Sequence, residues 1–484
     1  MKTCRHTNTT MAHSAADAST CPAASTRTSA SVATSGTISA PNATPASRAA
    51  CDSTPASRAA SDAAPAPTSD TAPAPVIMVI HASVGSGHKS AANAISEALN
   101  LLKQEHDQLI PNNLEIETID ILTWGRHKFN GDKAASYFVG ATRPIYDLLW
   151  RYTFTGRVLW GGGTIWSHIM YAPFTRYIAK RKPIACICTH ITAANAAVSA
   201  RMLCKQNFPI VCVPTDYETE GLWPHLHSDM FCIASEAMAE TLRARKVSDA
   251  RIALTGIPTR EDFRLTHDIE QTRKTLQLPS DKTLVLVLAG AAYPTPYLRF
   301  RDTLDALMPH VSKLNNMHFI FVAGKDEEYR AHLEQQLKTF SLTNACVFGY
   351  VKEMAALMSA SNLVICKSGG LTVTECLCTK VPMILVGRAY GQEKINTEML
   401  TNSNAAMHVT TPRELLDVLH YLMTNPHGLD AMLVNGAIIR HPHAARDIAH
   451  IALELYHKQR TVPPEVYQSR FAHFYLGHKP AHVR

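Results

Sequence analysis

Two glycine-rich turns, one imidazole and a run of polar helix-start residues carry most of the chemistry this sequence offers. The first turn is Ser83-Val-Gly-Ser-Gly-His88. Gly85 and Gly87 let the backbone bend sharply and leave room for a ligand against bare amides. A Gly-x-Gly pair is unspecific, and the spacing fits neither a dinucleotide fingerprint nor a P-loop lysine. His88 falls in a first helical turn, where the positive dipole end keeps an imidazole neutral and able to accept a proton at pH 7. A capping histidine fits the same position. The second turn, Lys367-Ser-Gly-Gly-Leu-Thr-Val-Thr-Glu375, runs from an apolar stretch into a helix expected from about Leu371. Free amides at that helix start, with the hydroxyls of Ser368 and Thr372, form a cradle for phosphate. Glu375 lies one turn further in, able to reach a sugar diol, or else it is a solvated carboxylate behind a glycine turn. In Gly391-Gln-Glu-Lys-Ile-Asn396, the side chains of Gln392, Glu393 and Asn396 supply donors and acceptors suited to a hydroxyl-rich ligand. An ordinary polar cap looks alike, but two such constellations on successive strand ends favour one shared site.

The elements that must position these residues are visible as apolar runs. Val76 to Ala82 is a continuous apolar stretch of strand length, as a parallel strand covered on both faces requires. Ala91, Ala92, Ile95, Leu99 and Leu102 then keep a helical period. Short runs follow at Ile184 to Cys188 and Ile210 to Val213. A second series comprises Leu284 to Leu288, His318 to Val322, Cys346 to Phe348, Leu363 to Cys366 and Met383 to Val386. Helix-length stretches such as Asp326 to Phe340 and Glu393 to Thr401 separate them. Strand and helix alternating twice over, split near Gly256-Ile-Pro258, predicts an α/β protein of two doubly wound, Rossmann-like domains. Ligands of such sheets sit beyond the carboxyl ends of the strands, here in the cleft between domains. The expected organisation is a disordered segment over 1–75, a first α/β domain over 76–258, a second over 259–425, and carboxyl-terminal helices and tail over 426–484 that pack back across the domains.

Composition narrows the class. The apolar fraction of 46% excludes wholesale disorder, while 47 basic against 40 acidic residues leave a net charge of only +7. That excess does not call for nucleic acid, but it suits anionic phosphates or lipid head groups. No run of 18 uncharged apolar residues predicts a spanning helix, and residues 1–22 lack the apolar stretch of a secretory signal. Twelve cysteines, several inside apolar strands (Cys186, Cys188, Cys212, Cys366), read as buried reduced thiols of a cytoplasmic protein. Ala, Ser, Thr and Pro dominate 1–75, and Thr44 to Ala50 recurs as Thr54 to Ala60. Such a segment cannot offset its ordering entropy. A plastid transit peptide is its functional alternative.

Taken together, Ser-x-Gly-x-Gly-His with Ala91-Ala92, Thr215-Asp-Tyr217 with Trp223, Thr255-Gly-Ile-Pro258 with Arg260, Lys-Ser-Gly-Gly-Leu-Thr-x-x-Glu and Gly-Gln-Glu-x-x-Asn resemble the monogalactosyldiacylglycerol synthase and processive diacylglycerol glucosyltransferase family. That family is related to the lipid II-forming peptidoglycan glycosyltransferase. The resemblance runs from about Val76 to the carboxyl-terminal helices. It implies a GT-B glycosyltransferase, inverting and metal-independent, that moves glucose or galactose from a UDP-sugar to diacylglycerol in glycolipid synthesis. It implies no cofactor beyond the donor substrate. On the matching positions, the main chain near Val351 meets the uracil, and Glu375 the ribose diol. Ser368, Gly369, Gly370, Leu371 and Thr372 with Arg260 hold the diphosphate, while Gln392, Glu393 and Asn396 contact the donor sugar. The acceptor lies at the Gly85 and Gly87 loop beside His88, the first candidate for the base. Asp216, after the run Ile210 to Val213, is the second. Two segments depart from the family: Glu218, Thr219 and Glu220 replace a frequent histidine, and Ala289-Gly-Ala-Ala-Tyr293 replaces a glycine-rich loop.

Between Arg143 and Lys182 aromatic and basic residues interleave, among them Trp150, Arg151, Arg157, Trp160 and Trp166. This mixture suits the interface of an anionic bilayer. It points to a peripheral protein on the cytoplasmic face of a bacterial membrane, with a plastid envelope as the alternative; a partly buried helical subdomain with a solvated basic face is the bland reading. His443, His450 and His457 recur every seven residues, too far apart along a helix to share one ion, so no metal site is expected. Three other readings remain open: an N-acetylglucosamine transferase on a polyprenyl-linked acceptor, a nucleotide-sugar epimerase, and a lipid-binding homologue without turnover.

Overall fold

The strand β1, Val76–His81, is buried at every position, which requires cover on both faces of its sheet. In the computed structural model, residues 74–126, 166–218, 223–290, 298–388 and 392–458 are described. Residues 1–73 of the low-complexity segment, together with Trp150, Arg151, Arg157, Trp160, Thr219, Glu220 and Ala291 to Tyr293, lie outside them.

Two six-stranded sheets carry the fold. The first contains β1, β2 (Glu115–Asp120), β3 (Ala185–Cys188), β4 (Ile210–Cys212), β5 (Met230–Ile233) and β6 (Ile252–Leu254), in the order β2-β1-β3-β4-β5-β6. The second contains β7 (Thr283–Leu288), β8 (Met317–Val322), β9 (Ala345–Phe348), β10 (Leu363–Cys366), β11 (Met383–Val386) and β12 (Met407–Val409), ordered β12-β11-β10-β7-β8-β9. Every pairing is parallel. The period of two shows in the cores. Val76, Met78 and Ile80 pack on one face of the first sheet, and Ile77 and Val79 on the other. Leu284 and Leu286 divide from Val285 and Val287 in the same way. This is the two-domain GT-B architecture.

In both sheets the strand order reverses beside the first strand, between β1 and β3 and between β7 and β10. Turns leaving strands there point into open crevices. The helix Gly87–Gln104 follows β1, Ile191–Cys204 follows β3, Gly370–Thr379 follows β10 and Gln392–Asn402 follows β11. The last described helix, Ala444–His457, returns to the first sheet, where Ile448, Ala449, Ala452 and Leu453 complete the core around Ile77 and Val79. Arg446 grips both oxygens of Glu105 at 2.8 and 2.7 Å. The histidines of this helix serve the same attachment: His450 meets Asp107 at 3.0 Å, and His457 meets the Leu109 carbonyl at 2.8 Å. All nine cysteines among the described residues are unpaired.

Candidate active site

The Ser83–His88 turn leaves β1 under control of Asp120, whose Oδ1 accepts the Ser83 amide at 3.2 Å and the Leu122 amide at 3.1 Å. Gly85 has a φ of +72°, the left-handed region that glycine occupies without strain. His88 then enters the helix. Its Nδ1 lies 2.9 Å from the Thr189 carbonyl and 2.8 Å from the Thr215 hydroxyl oxygen. A carbonyl only accepts, so Nδ1 carries the hydrogen, and the neutral ring keeps its lone pair on Nε2. The Thr189 hydroxyl returns a bond to the His88 carbonyl at 2.9 Å. The His190 ring stands edge-on to His88, centroids 4.6 Å apart. Burial, more than any other cause, pushes the His88 pKa down to about 4, with the Thr189 carbonyl opposing it and His81 assisting. His190 is held well below the usual imidazole range by burial and then by His88 and His81.

The second turn meets the first through Thr215. A Cβ on Gly370 would lie 2.1 Å from the Thr215 carbonyl oxygen and 3.0 Å from Asp216 Oδ1. The start of the Gly370 helix therefore presses directly on the loop after β4, and only glycine fits. A Cβ on Gly87 would touch the Leu371 side chain at 3.5 Å, so the two helix starts are in contact. Thr215 both bonds His88 and abuts Gly370, which brings the imidazole and the phosphate-type cradle to one place.

Asp216 accepts from Asn396 Nδ2 at 2.8 Å. Burial pushes its carboxyl up to about 7; the Asn396 bond opposes this, Glu393 adds to it and Lys367 opposes. Lys367 Nζ pairs with Glu393 Oε1 at 3.0 Å, and the Ser368 hydroxyl donates to the Glu393 carbonyl at 2.9 Å. Ser368 and Leu371 are buried, Thr372 and Glu375 half-buried. Burial also pushes Glu375 up to about 7, with Arg260 opposing from nearby. Arg260 stands 3.6 Å from Asp262 and over the Phe263 ring. Val351, beyond β9, lies half-buried at the margin of the second sheet's core. Gln392 opens its helix.

His88, Asp216, Ser368, Gly369, Gly370, Leu371, Glu393 and Asn396 thus form one contiguous region, with Glu375 one helical turn on and Arg260 near it. Asn396 is fully buried, and protein groups take both of its amide hydrogens. Trp166 lies apart, exposed at 56%, with Ile169 exposed at 52% one turn on. Sequence reasoning did not single out Thr189, His190 or the hydroxyl of Thr215. Their signal is position alone, at the carboxyl ends of β3 and β4.

Two family models match the chain: monogalactosyldiacylglycerol (MGDG) synthase over residues 88–259 and the glycosyltransferase family 28 C-terminal domain over residues 300–445. The chain is a glycosyltransferase. It is 24% identical over 363 residues to the processive diacylglycerol beta-glucosyltransferase of Staphylococcus haemolyticus, covering 74% of this chain and 86% of that one. Two solved structures share the fold. Staphylococcus aureus MnaA with UDP is 11% identical at a TM-score of 0.52, covering 80% and 97% of the two chains. The UDP-GlcNAc 2-epimerase of Neisseria meningitidis is 14% identical at 0.51, covering 79% and 99%. The glycosyltransferase places its two matched regions on the two sides of the Thr215 contact. Among its described residues, no helix is long and apolar enough to cross a membrane.

Proposed function

We propose that this glycosyltransferase moves a hexose from a UDP-sugar to diacylglycerol with inversion at the anomeric carbon. The diphosphate lies at the start of the Gly370 helix, where the amides of Gly369 and Gly370 and the Arg260 guanidinium take up the charge of the leaving UDP. Glu375, one turn deeper, holds the ribose diol, and the main chain near Val351 faces the uracil. The start of the Gln392–Asn402 helix, with Glu393, stands toward the sugar. The acceptor hydroxyl approaches from the Gly85–Gly87 loop. Its oxygen bonds the anomeric carbon as the bond to the diphosphate breaks, and its proton passes to His88 Nε2. Asp216 is the competing acceptor for that proton. The reading needs no metal for the departing charge.

What supports this most is Thr215, one residue that bonds the His88 ring and abuts Gly370. The tautomer supports it as well, since a ring whose Nδ1–H is spent on the Thr189 carbonyl presents a proton acceptor and nothing else. The exposed pair Trp166 and Ile169, with Arg176 and Lys180 also exposed along the same segment, supports work at an anionic bilayer surface. The test is UDP release from UDP-glucose or UDP-galactose with phospholipid vesicles containing diacylglycerol, the products being resolved by mass. A diacylglycerol-dependent hexosyl lipid is expected from one donor. Equal, background UDP release with and without diacylglycerol for both donors would refute it.

A further inference from the structure

An asparagine side chain has two hydrogens to give and one carbonyl to receive. Asn396 gives its hydrogens to Asp216 Oδ1 at 2.8 Å and to the Ser368 carbonyl at 3.0 Å, and receives the Tyr217 amide at 2.9 Å. Asp216 and Tyr217 follow β4 in the first sheet, while Ser368 follows β10 in the second. One buried side chain therefore ties the two halves together at the turn that would hold phosphate. A second tie lies beside it. The Tyr217 hydroxyl donates to Thr374 Oγ1 at 2.9 Å, and that hydroxyl's hydrogen goes to the Gly370 carbonyl at 2.7 Å. The Tyr217 carbonyl accepts from Ser235 at 2.6 Å. The loop between Asp216 and Tyr217 is gripped from three sides, and Thr215 precedes it directly.

We propose that Asn396 is a positioning residue that braces the Thr215–Tyr217 loop against the Ser368–Gly370 turn and makes no contact with the transferred sugar. The proposal rests on the reading of the site given above. A sugar hydroxyl could reach Asn396 only by displacing one of these buried bonds, which would leave Asp216, Ser368 or Tyr217 with an unpaired polar group. What the brace secures is the separation between the imidazole, held through Thr215, and the anion cradle, set by Gly370. The charged groups facing Asp216 are the paired Lys367 and Glu393, with His88 on the far side of Thr215.

The experiment compares Asn396→Ala, Asn396→Asp and Tyr217→Phe with the wild-type enzyme. Calorimetry gives the dissociation constants of UDP and of UDP-hexose, and the vesicle assay gives kcat. Loss of the brace is expected to cut kcat by about ten- to a hundredfold through misplacement of the reacting groups. The two dissociation constants should shift by the same factor, because the sugar is untouched. Tyr217→Phe should act in the same direction by about three- to tenfold, and combine with Asn396→Ala less than additively. Asn396→Asp sets two carboxyls face to face, so its activity should recover as pH falls and one of them holds a proton. A loss of about tenfold or more confined to UDP-hexose, with UDP unaffected, would make Asn396 a sugar contact and overturn the proposal alone. So would wild-type kcat in both Asn396→Ala and Tyr217→Phe. A wild-type enzyme that binds no UDP would overturn the site reading and the brace with it.

Discussion

The identity of the proton acceptor can be read from a pH–rate profile, because the two candidates titrate about three units apart. Burial holds His88 at about 4, and burial pushes Asp216 up to about 7. A base works only when deprotonated. If His88 Nε2 takes the proton, kcat/KM for the donor stays nearly flat from pH 8 down to 5.5 and bends only near its own pKa. If Asp216 takes it, the same quantity falls about tenfold per unit below 7, to roughly one per cent at pH 5. A second feature sharpens the test. The kcat/KM for the donor reports the enzyme before donor binds, whereas kcat reports the loaded complex. A diphosphate docked at Gly370 brings negative charge across Thr215 from the ring, which favours imidazolium and raises its pKa. The acid limb of kcat should therefore lie at higher pH than that of kcat/KM. Such a rise would let a group at about 4 serve as a base, since the bound donor would restore its basicity.

The perturbation is His88→Ala, which should lower kcat by about 10²- to 10⁴-fold with UDP affinity nearly unchanged. Initial rates of UDP release from vesicles across pH 5–9 supply the profile, with Asp216→Asn run in parallel. His88→Ala within about threefold of wild type would refute the assignment. An acid limb at 7 that disappears in Asp216→Asn would transfer the role to Asp216.

Gly370→Ala would drive a methyl group into the Thr215 carbonyl, 2.1 Å away. Thermal unfolding should show a loss of about 1–3 kcal/mol, and the vesicle assay should show a severe fall in kcat. At Gly369 the backbone is extended and a Cβ meets its neighbours at 3.5 Å or more, so Gly369→Ala should leave the unfolding midpoint near wild type. Glu375→Gln should raise the donor KM roughly tenfold with little change in kcat, since a bond to a charged acceptor is weakened on the ribose; an unchanged KM would remove Glu375 from the donor site. Replacing Trp166 and Ile169 together by Ala should reduce sedimentation with anionic vesicles about tenfold or more, more visibly at low salt, and equal binding would detach this face from the membrane.

What the sequence discloses depends on whether a residue's role is local. The strands β1, β3, β4, β7, β8, β10 and β11 are legible because each is a mainly apolar run that is largely buried, and β9, half-buried at a sheet edge, is legible as the short apolar run ending at Phe348. β2 reads Glu115-Ile-Glu-Thr-Ile-Asp120 and sits at a sheet edge, where Arg181 binds Glu115 and Glu117. Its alternation with charged residues hides it among the loops. The edge strands β6 and β12 are three residues each, too short for any period to register. β5, Met230–Ile233, is a four-residue apolar run after a stretch that carries two prolines and no helical period, so nothing in the sequence marks it as the next strand of an alternation. The glycine turns were legible too, since a turn that must pass close to a ligand or bend left-handed leaves glycine in the sequence itself.

The site's polar logic was not legible in this way. A histidine at a helix start admits either tautomer, and the choice here is made by the carbonyl of Thr189, 101 positions away. Asn396 shows the same limit more sharply. Its neighbours in sequence, Gln392 and Glu393, suggest a ligand, yet its bonds go to residues 180, 179 and 28 positions away. Whether a polar side chain is offered to a ligand or consumed by the fold is settled by the sum of its donors and acceptors against the groups that packing delivers. For His88 that sum leaves one lone pair over, which is what the proposed proton transfer requires. For Asn396 it leaves no hydrogen over, which is why the consequence of changing it should be felt in the alignment of the reacting groups and not in the recognition of the sugar.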